Sequence, residues 1–300
     1  MVLHTPYDGS SRPFTIGLSP LSPLQWLDED QNLVSYLDEK LNLYKTLPDQ
    51  VLVQDEGTRA AQSEVLDLVQ AHMLERFPVL YVRVGDVMHI AGRHTVKLDD
   101  GTLSPIAIAG LLVQEDVVLM RKSPEGWKLA AASVCFPSAW NLREKFKRPL
   151  AEIHAPVPGF NAGTRNAALI ERMFDNLRVE QPVLRWNWSL HDDMRLHHPD
   201  SHTGESRRFG DGDLRGAVIL RLERQTLRKL PKSGDILFTI RIYLDPLEAL
   251  ERHPEGRTLA RAIDDQLQGM SAAEAEYKGI AGERARLSAR LHTIIDRAST

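Results

Sequence analysis

Val117-Val-Leu-Met-Arg-Lys-Ser-Pro-Glu-Gly-Trp-Lys-Leu-Ala-Ala-Ala-Ser-Val-Cys-Phe136 decides the fold class. Two β-rich runs flank Ser123-Pro-Glu-Gly126, which has Pro second and Gly fourth as a type I turn prefers, so the stretch reads as a hairpin. The same logic applies further on, where Gly216 to Leu227 and Asp235 to Leu244 flank Pro231-Lys-Ser-Gly234. Val183 to Leu190 adds one more β-rich run, which makes about five antiparallel strands. Outward from these strands the pattern turns helical. Leu33, Leu37, Leu41 and Tyr44, then Ala61, Val65, Leu68 and Met73, recur at helical steps and predict helices over 29–46 and 59–76. Asn166 to Leu177 predicts another, and Ala, Glu, Arg and Leu dominate from Pro246 to the end. Pro6, Pro13, Pro20 and Pro23 make the opening stretch an extended arm, and His191 to Asp213 reads as a polar loop. The expected fold is α+β: one body over 1–300, with an N-terminal arm and helices to about residue 78, an antiparallel sheet of about five strands, and a helical segment from about 246. Regular β-α-β alternation is missing, which argues against a doubly wound sheet.

Composition narrows the function classes. A chain of 300 residues with 42% apolar content can bury a large core. With 37 Lys+Arg against 41 Asp+Glu and a net charge of −4, it lacks the basic excess that nucleic acid demands. The single cysteine, Cys135, excludes an internal disulfide and any C-x-x-C motif, and fits a reducing cytoplasm. The longest apolar stretch, Ile106 to Val113, is too short for a bilayer, and the opening residues do not read as a secretory leader. Gly210-Asp-Gly-Asp-Leu-Arg-Gly216 has the wrong spacing for a dinucleotide loop and acidic residues where a pyrophosphate would sit; no Walker or G-x-S-x-G string occurs. His191, Asp192, Asp193, His197, His198 and His202 resemble a metal cluster, but Pro199 breaks any helix that would align them, and they read as a solvated loop.

Strand alternation supplies candidate site residues. Val218, Leu220 and Leu222 share one face of their strand, with Arg224 among them, opposite Ile219, Arg221, Glu223 and Gln225. In the partner strand Ile236, Phe238, Ile240 and Ile242 oppose Thr239, Arg241 and Tyr243, while Trp186 and Trp188 oppose Arg185 and Asn187. The expectation is one greasy face and one rich in Arg, Glu, Asn and Gln, suited to oriented hydrogen bonding; a water-facing sheet would show a polar face too. In Pro149-Leu-Ala-Glu-Ile-His-Ala-Pro-Val-Pro-Gly159, three prolines and a glycine pin the chain around His154. Its apolar neighbours favour a neutral imidazole with a free lone pair, although a lone histidine in such company is more often a satisfied core residue.

Several strings together resemble the haem-dependent oxidative N-demethylase family, of the dimethylamine monooxygenase haem-subunit type. They are Phe14-Thr-Ile-Gly-Leu-Ser-Pro-Leu21, Trp26-Leu-Asp-Glu-Asp30, Val134-Cys-Phe-Pro-Ser-Ala-Trp140, Ile153-His-Ala-Pro-Val-Pro-Gly159, Arg185-Trp-Asn-Trp188, Arg221-Leu-Glu-Arg-Gln-Thr-Leu-Arg-Lys-Leu-Pro231 and Leu237-Phe-Thr-Ile-Arg241, in order along most of the chain. The resemblance implies a PAS-like sheet that holds haem b and uses its iron, O2 and two electrons to remove an N-methyl group from a small methylated amine as formaldehyde. It also implies a separate reductase carrying NADPH, FMN and a 2Fe-2S cluster. His154 becomes the candidate axial metal ligand, with the Cys135 thiolate as its rival. Arg221, Arg224, Arg241 and Gln225 become candidates for the cofactor, the arginines for its propionates, with Arg143 and Lys145 as weaker ones that also suit a solvated face. Glu223 and Trp186 or Trp188 become candidates to receive an alkylammonium by charge and by ring face, against the common core role of a strand tryptophan. Two other readings remain: a non-catalytic haem sensor or carrier on the same histidine, and a haem-free domain whose arginines hold an anionic metabolite.

Overall fold

The computed structural model describes residues 2, 4–11, 13–201, 208–212 and 214–297. After the arm come a two-residue strand β1 (Ser19–Pro20), helix α1 (Leu33–Thr46), the turn α2 (Pro48–Val51), strand β2 (Leu52–Gln54) and helix α3 (Arg59–Arg76). A small meander follows: β3 (Tyr81–Val84), β4 (Val87–Ile90) and β5 (His94–Lys97). Helix α4 (Pro105–Gly110) leads into the hairpin β6 (Asp116–Ser123) and β7 (Gly126–Ser133). Short helices α5 (Leu142–Lys145) and α6 (Leu150–Ile153) precede α7 (Arg165–Asn176). The long strands β8 (Val183–His191), β9 (Ile219–Lys229) and β10 (Ile236–Pro246) come next, then α8 (Gly256–Gly269), α9 (Ala272–Tyr277) and α10 (Arg284–Arg297).

The fold is α+β as expected, and both expected hairpins form. Seven strands build the main sheet, in the order β1-β8-β9-β10-β6-β7-β2, every neighbour antiparallel. The five-strand estimate omitted β1 and β2, which are only two and three residues long and carry no readable alternation. It also omitted the separate three-stranded sheet β3-β4-β5, whose strands of four residues are too brief for the pattern to register. That sheet closes over the apolar face of α3, with Tyr81, Met88 and Ile90 buried beside Val65, Val69 and Met73.

Register corrects the expectation of one greasy and one polar face. Gln225 pairs with Ile240 and Glu223 with Ile242, so Arg221, Glu223 and Gln225 share a face with Phe238, Ile240 and Ile242. Asn187 and Arg185, opposite Glu223 and Gln225, join the same face. Arg224 and Arg241, opposite one another, stand on the other face beside Leu222 and Tyr243. Alternation within a strand fixes which residues share its face, but the Leu230–Asp235 loop fixes how two strands are matched, and a one-residue slip exchanges faces.

Both faces of the sheet are covered. On the Arg224 and Arg241 side lie α3, α4 and the small sheet at one end and α8 and α10 at the other. On the Arg221 side lie the segment from Val134 to Leu177 and the loop after His191. Coverage on both sides is why β9 is buried along nearly its whole length and why its arginines need internal partners. Lys40 of α1 is likewise fully buried and donates to the carbonyls of Gly110 and Val113, both at 2.9 Å, and to that of Glu115. None of the helices among the described residues is long and apolar enough to cross a membrane.

Candidate functional site

The site grows from the chain leaving β7. Buried Asp116 at the start of β6 accepts from the amides of Cys135 and Phe136 at 2.7 and 2.9 Å, and fixes the direction of Val134 to Trp140. The chain turns at Lys147, whose φ of 63° lies in the left-handed region. Lys147 is held there by a backbone bond to Leu129 of 2.9 Å and an ion pair with Asp55 of 2.8 Å. Pro149 then caps the single turn α6, and Pro156 and Pro158 prevent its continuation, so the helix stops at His154.

His154 occupies the C-cap position of α6, and its Nδ1 donates to the Leu150 carbonyl at 3.0 Å. That bond leaves Nε2 as the nitrogen with the lone pair. Burial pushes the imidazole pKa down to about 4, with Arg185 and Lys145 adding to the effect, so the ring is neutral at physiological pH. Phe160 lies 6.4 Å away between ring centroids. Trp140, Ile153, Val157 and Phe238 are only partly buried, and pack on the core formed by Val118, Leu142, Leu150 and Phe160.

Polar groups stand on the same sheet face. The Glu223 carboxylate, 7% exposed, accepts at Oε2 from Asn187 Nδ2 at 3.1 Å and from Gln225 Nε2 at 2.7 Å. Arg185 donates to the Thr15 carbonyl at 3.3 Å, while its Nε is buried without a hydrogen-bond partner. At the β8 edge, from the turn after α9, Lys278 donates to the Trp188 carbonyl at 2.5 Å and lies over the rings of Phe14 and Trp188, the latter on the opposite face. Burial lowers its pKa to about 8 against the opposing pull of Glu223. A cavity of about 210 Å³ opens between the arm and the β8 edge, lined by Phe14 and Thr15 of the arm and by β8 residues of both faces, Arg185 and Asn187 together with Trp186 and Trp188.

Other candidates find different surroundings. Arg221, fully buried, donates to the carbonyls of Phe136, Pro137, Arg195 and Leu196 at 2.8 to 3.4 Å and ties two loops to the sheet. Arg224 holds the arm through the carbonyls of Trp26, at 3.0 Å, and Gln25. Arg241 pairs with Asp30 at 2.9 Å and lies 4.6 Å from the ring centroids of both Tyr36 and Tyr243. The expected propionate arginines are therefore engaged inside the protein, two of them on the far face. Trp186 and Trp188 are on that face too, against His4 and Tyr243 and against Tyr7, so the structure does not bring them to Glu223 on the opposite side. Alternation puts neighbouring strand residues on opposite faces, and Asn187, not either tryptophan, is the residue beside Glu223.

Cys135 is fully buried, and desolvation pushes its thiol pKa up, which favours the neutral thiol over the thiolate. Lys145 is bonded to the Ile153 carbonyl at 2.8 Å, and Arg143 is exposed. In the polar loop, His197 donates to the Cys135 carbonyl at 2.8 Å and His198 meets Asp193 at 3.1 Å; His202 lies outside the described residues. Among the described residues no group of three His, Cys, Asp or Glu side chains is arranged to hold a metal ion. Sequence reasoning put Arg185 and Asn187 on the polar strand face without giving either a role of its own, and it did not single out Lys278. Alternation had already separated the first two from the tryptophans, whereas nothing around Lys278 signals its approach to β8.

A family model described as haem-dependent oxidative N-demethylase, alpha subunit-like, matches residues 17–287. The chain belongs to this family. The residues around His154 fit the haem that the family description implies. His154 is a neutral imidazole with Nδ1 tied to a carbonyl and Nε2 left with its lone pair, the arrangement that a haem-ligating histidine would need. Trp140, Val157 and Phe238 on the same core are incompletely buried apolar side chains that a macrocycle could cover, and a single histidine would suffice because haem brings its own four nitrogen ligands.

Proposed function

We propose that this N-demethylase family member is the haem b-binding subunit that converts a small methylated amine, dimethylamine or a close analogue, into formaldehyde and the shorter amine. The observation that carries the reading is His154, neutral and oriented, with Nε2 left free by the Leu150 bond. When bound, haem b supplies reductive activation of O2. In the overall balance the methylated amine, one O2, two electrons and two protons give the demethylated amine, formaldehyde and water. The electrons come from a separate reductase with NADPH, FMN and a 2Fe-2S cluster; the words "alpha subunit" in the family description support a second protein.

The chain's own residues bind and orient. His154 would hold the iron through Nε2, and the apolar Trp140, Val157 and Phe238 would help exclude water from the haem pocket. Glu223 receives the alkylammonium: Asn187 and Gln225 fix its Oε2, so Oε1 is available to accept the substrate N–H and then its proton. The pairing with two neutral amides holds the carboxylate in one orientation, as a cation receptor requires.

Turnover tests the reading. Haem-loaded protein, given dimethylamine, O2 and a photoreduced flavin with a plant-type ferredoxin, should release formaldehyde in a 1:1 ratio to the O2 consumed with substrate. Oxygen uptake that no methylated amine converts into formaldehyde would instead make the chain a carrier or sensor.

A further inference from the structure

The polar loop after His191 holds a second imidazole wired like that of His154. His197 donates from Nδ1 to the Cys135 carbonyl at 2.8 Å, and its Nε2 is buried without a hydrogen-bond partner among the described residues. A carbonyl only accepts, so the neutral ring carries its proton on Nδ1 and its lone pair on Nε2. The other described imidazoles of the loop are engaged elsewhere: His198 meets Asp193 at 3.1 Å, and His191 Nε2 lies 3.1 Å from Ser189 Oγ and 3.4 Å from Ser138 Oγ. The backbone on both sides of His197 is fixed. Arg221 binds the carbonyls of Arg195 and Leu196, the His198 amide donates to the Pro137 carbonyl at 3.2 Å, and the Ala139 amide donates to the His198 carbonyl at 2.8 Å. Ala139 is held there at a φ of 61°, a left-handed conformation that is strained for a residue with a Cβ and that collects at functional sites.

Both histidines belong to the covering of one sheet face. The segment around His154 packs through Leu150, Ile153 and Val157 on the core that holds Val118 and Ile236, while Leu196 packs with Ile240 and Ile242 further along β10. Between these two ends lie Phe238, which pairs with Val118, and the Gln225 and Glu223 positions opposite Ile240 and Ile242. Phe238 and Trp140 are half-buried and belong to both cores, so one apolar floor runs from the His154 segment to the His197 loop. Resting on the haem reading above, we propose that His197 is the second axial ligand of the haem, its Nε2 closing the side of the iron opposite His154. A buried nitrogen without a partner is costly unless something completes it, and an imidazole lone pair is a ligand for haem iron. A carbonyl on Nδ1 is the outer contact that ligating histidines carry. Two imidazoles make the oxidised iron six-coordinate and low-spin; carbon monoxide on the reduced iron displaces His197, so the site still opens as the N-demethylase reading requires.

The test is the absorption and electron paramagnetic resonance spectrum of the full chain loaded with haem b and oxidised, compared with His197→Asn and His197→Ala, each checked for folding by circular dichroism. Asparagine keeps an amide donor for the Cys135 carbonyl and lacks the second nitrogen, so it separates ligation from a latch that merely fastens the loop. The wild type should be low-spin with two imidazoles. Both variants should still take up one equivalent of haem through His154 but shift to high-spin, and added imidazole should return them to the low-spin spectrum. The reduced carbon monoxide spectrum should be the same in all three. A high-spin wild type, or a low-spin spectrum that His197→Asn leaves unchanged, overturns the proposal while the haem reading stands. Haem kept by His154→Ala and lost by His197→Asn overturns it too, because His197 would then be the anchoring ligand. A wild type that takes up no haem overturns the haem reading and this ligand with it.

Discussion

His154→Ala should lose haem affinity by on the order of 100-fold or more, since loss of the axial ligand exceeds the roughly 10- to 100-fold cost of removing only a ligand's supporting hydrogen bond. The protein should stay folded. His154 is a partly exposed residue at the end of a one-turn helix, and its Nδ1 bond to Leu150 contributes only about 1 kcal/mol. Added imidazole should restore the Soret band of the variant, because the space left by the side chain admits a free ligand of the same chemistry. Cys135→Ser should titrate like the wild type: the thiol is buried with its pKa pushed up, and its surroundings are core residues such as Phe136, Val51 and Ile240. Absorbance titration at equal protein concentration reads both. Normal uptake by the His154 variant with loss in the Cys135 variant would exchange their roles.

Arg241→Leu should destabilise the fold by about 3 to 5 kcal/mol, the usual cost of stripping one partner from a buried ion pair. The change leaves Asp30, whose side chain is 15% exposed, without its cation, and removes the guanidinium between Tyr36 and Tyr243. Urea denaturation should show the midpoint fall with little change in slope. Under conditions where the variant is folded, its haem affinity should match the wild type, because Arg241 faces away from His154 across the sheet. A stable Arg241→Leu protein with weakened haem binding would return this arginine to the cofactor.

These expectations divide along the same line as the legibility of the sequence. The hairpin at Ser123–Gly126 was readable because its turn chemistry is local: Ser123 Oγ donates to the Gly126 carbonyl at 2.8 Å and Gly126 takes a φ of 114°. Helices α1 and α3 were readable because Leu33, Leu37, Val65 and Met73 repeat at the helical period and all reach the core. His154 stood out through the prolines that end α6 and through the family strings around it. The roles of the arginines were not readable. Residue type gives a donor set, but whether Arg221 meets a propionate or four carbonyls depends on loops arriving from Phe136 and Leu196. The separation of Glu223 from the tryptophans was implicit in the alternation of β8 and became decisive only with the pairing of Asn187 to Glu223. Lys278 reaches Trp188 from a helix hairpin remote in sequence, a contact that tertiary packing alone creates.

The central claim is that this chain binds haem through a neutral imidazole at His154. The most direct test is the ultraviolet-visible spectrum of the full chain titrated with haem b, recorded oxidised, dithionite-reduced and reduced under carbon monoxide. The account predicts uptake of one equivalent, a sharp Soret band and a reduced carbon monoxide spectrum of the imidazole-ligated type, all lost in His154→Ala. No stoichiometric uptake, or a thiolate-type carbon monoxide spectrum that survives in His154→Ala, would contradict it.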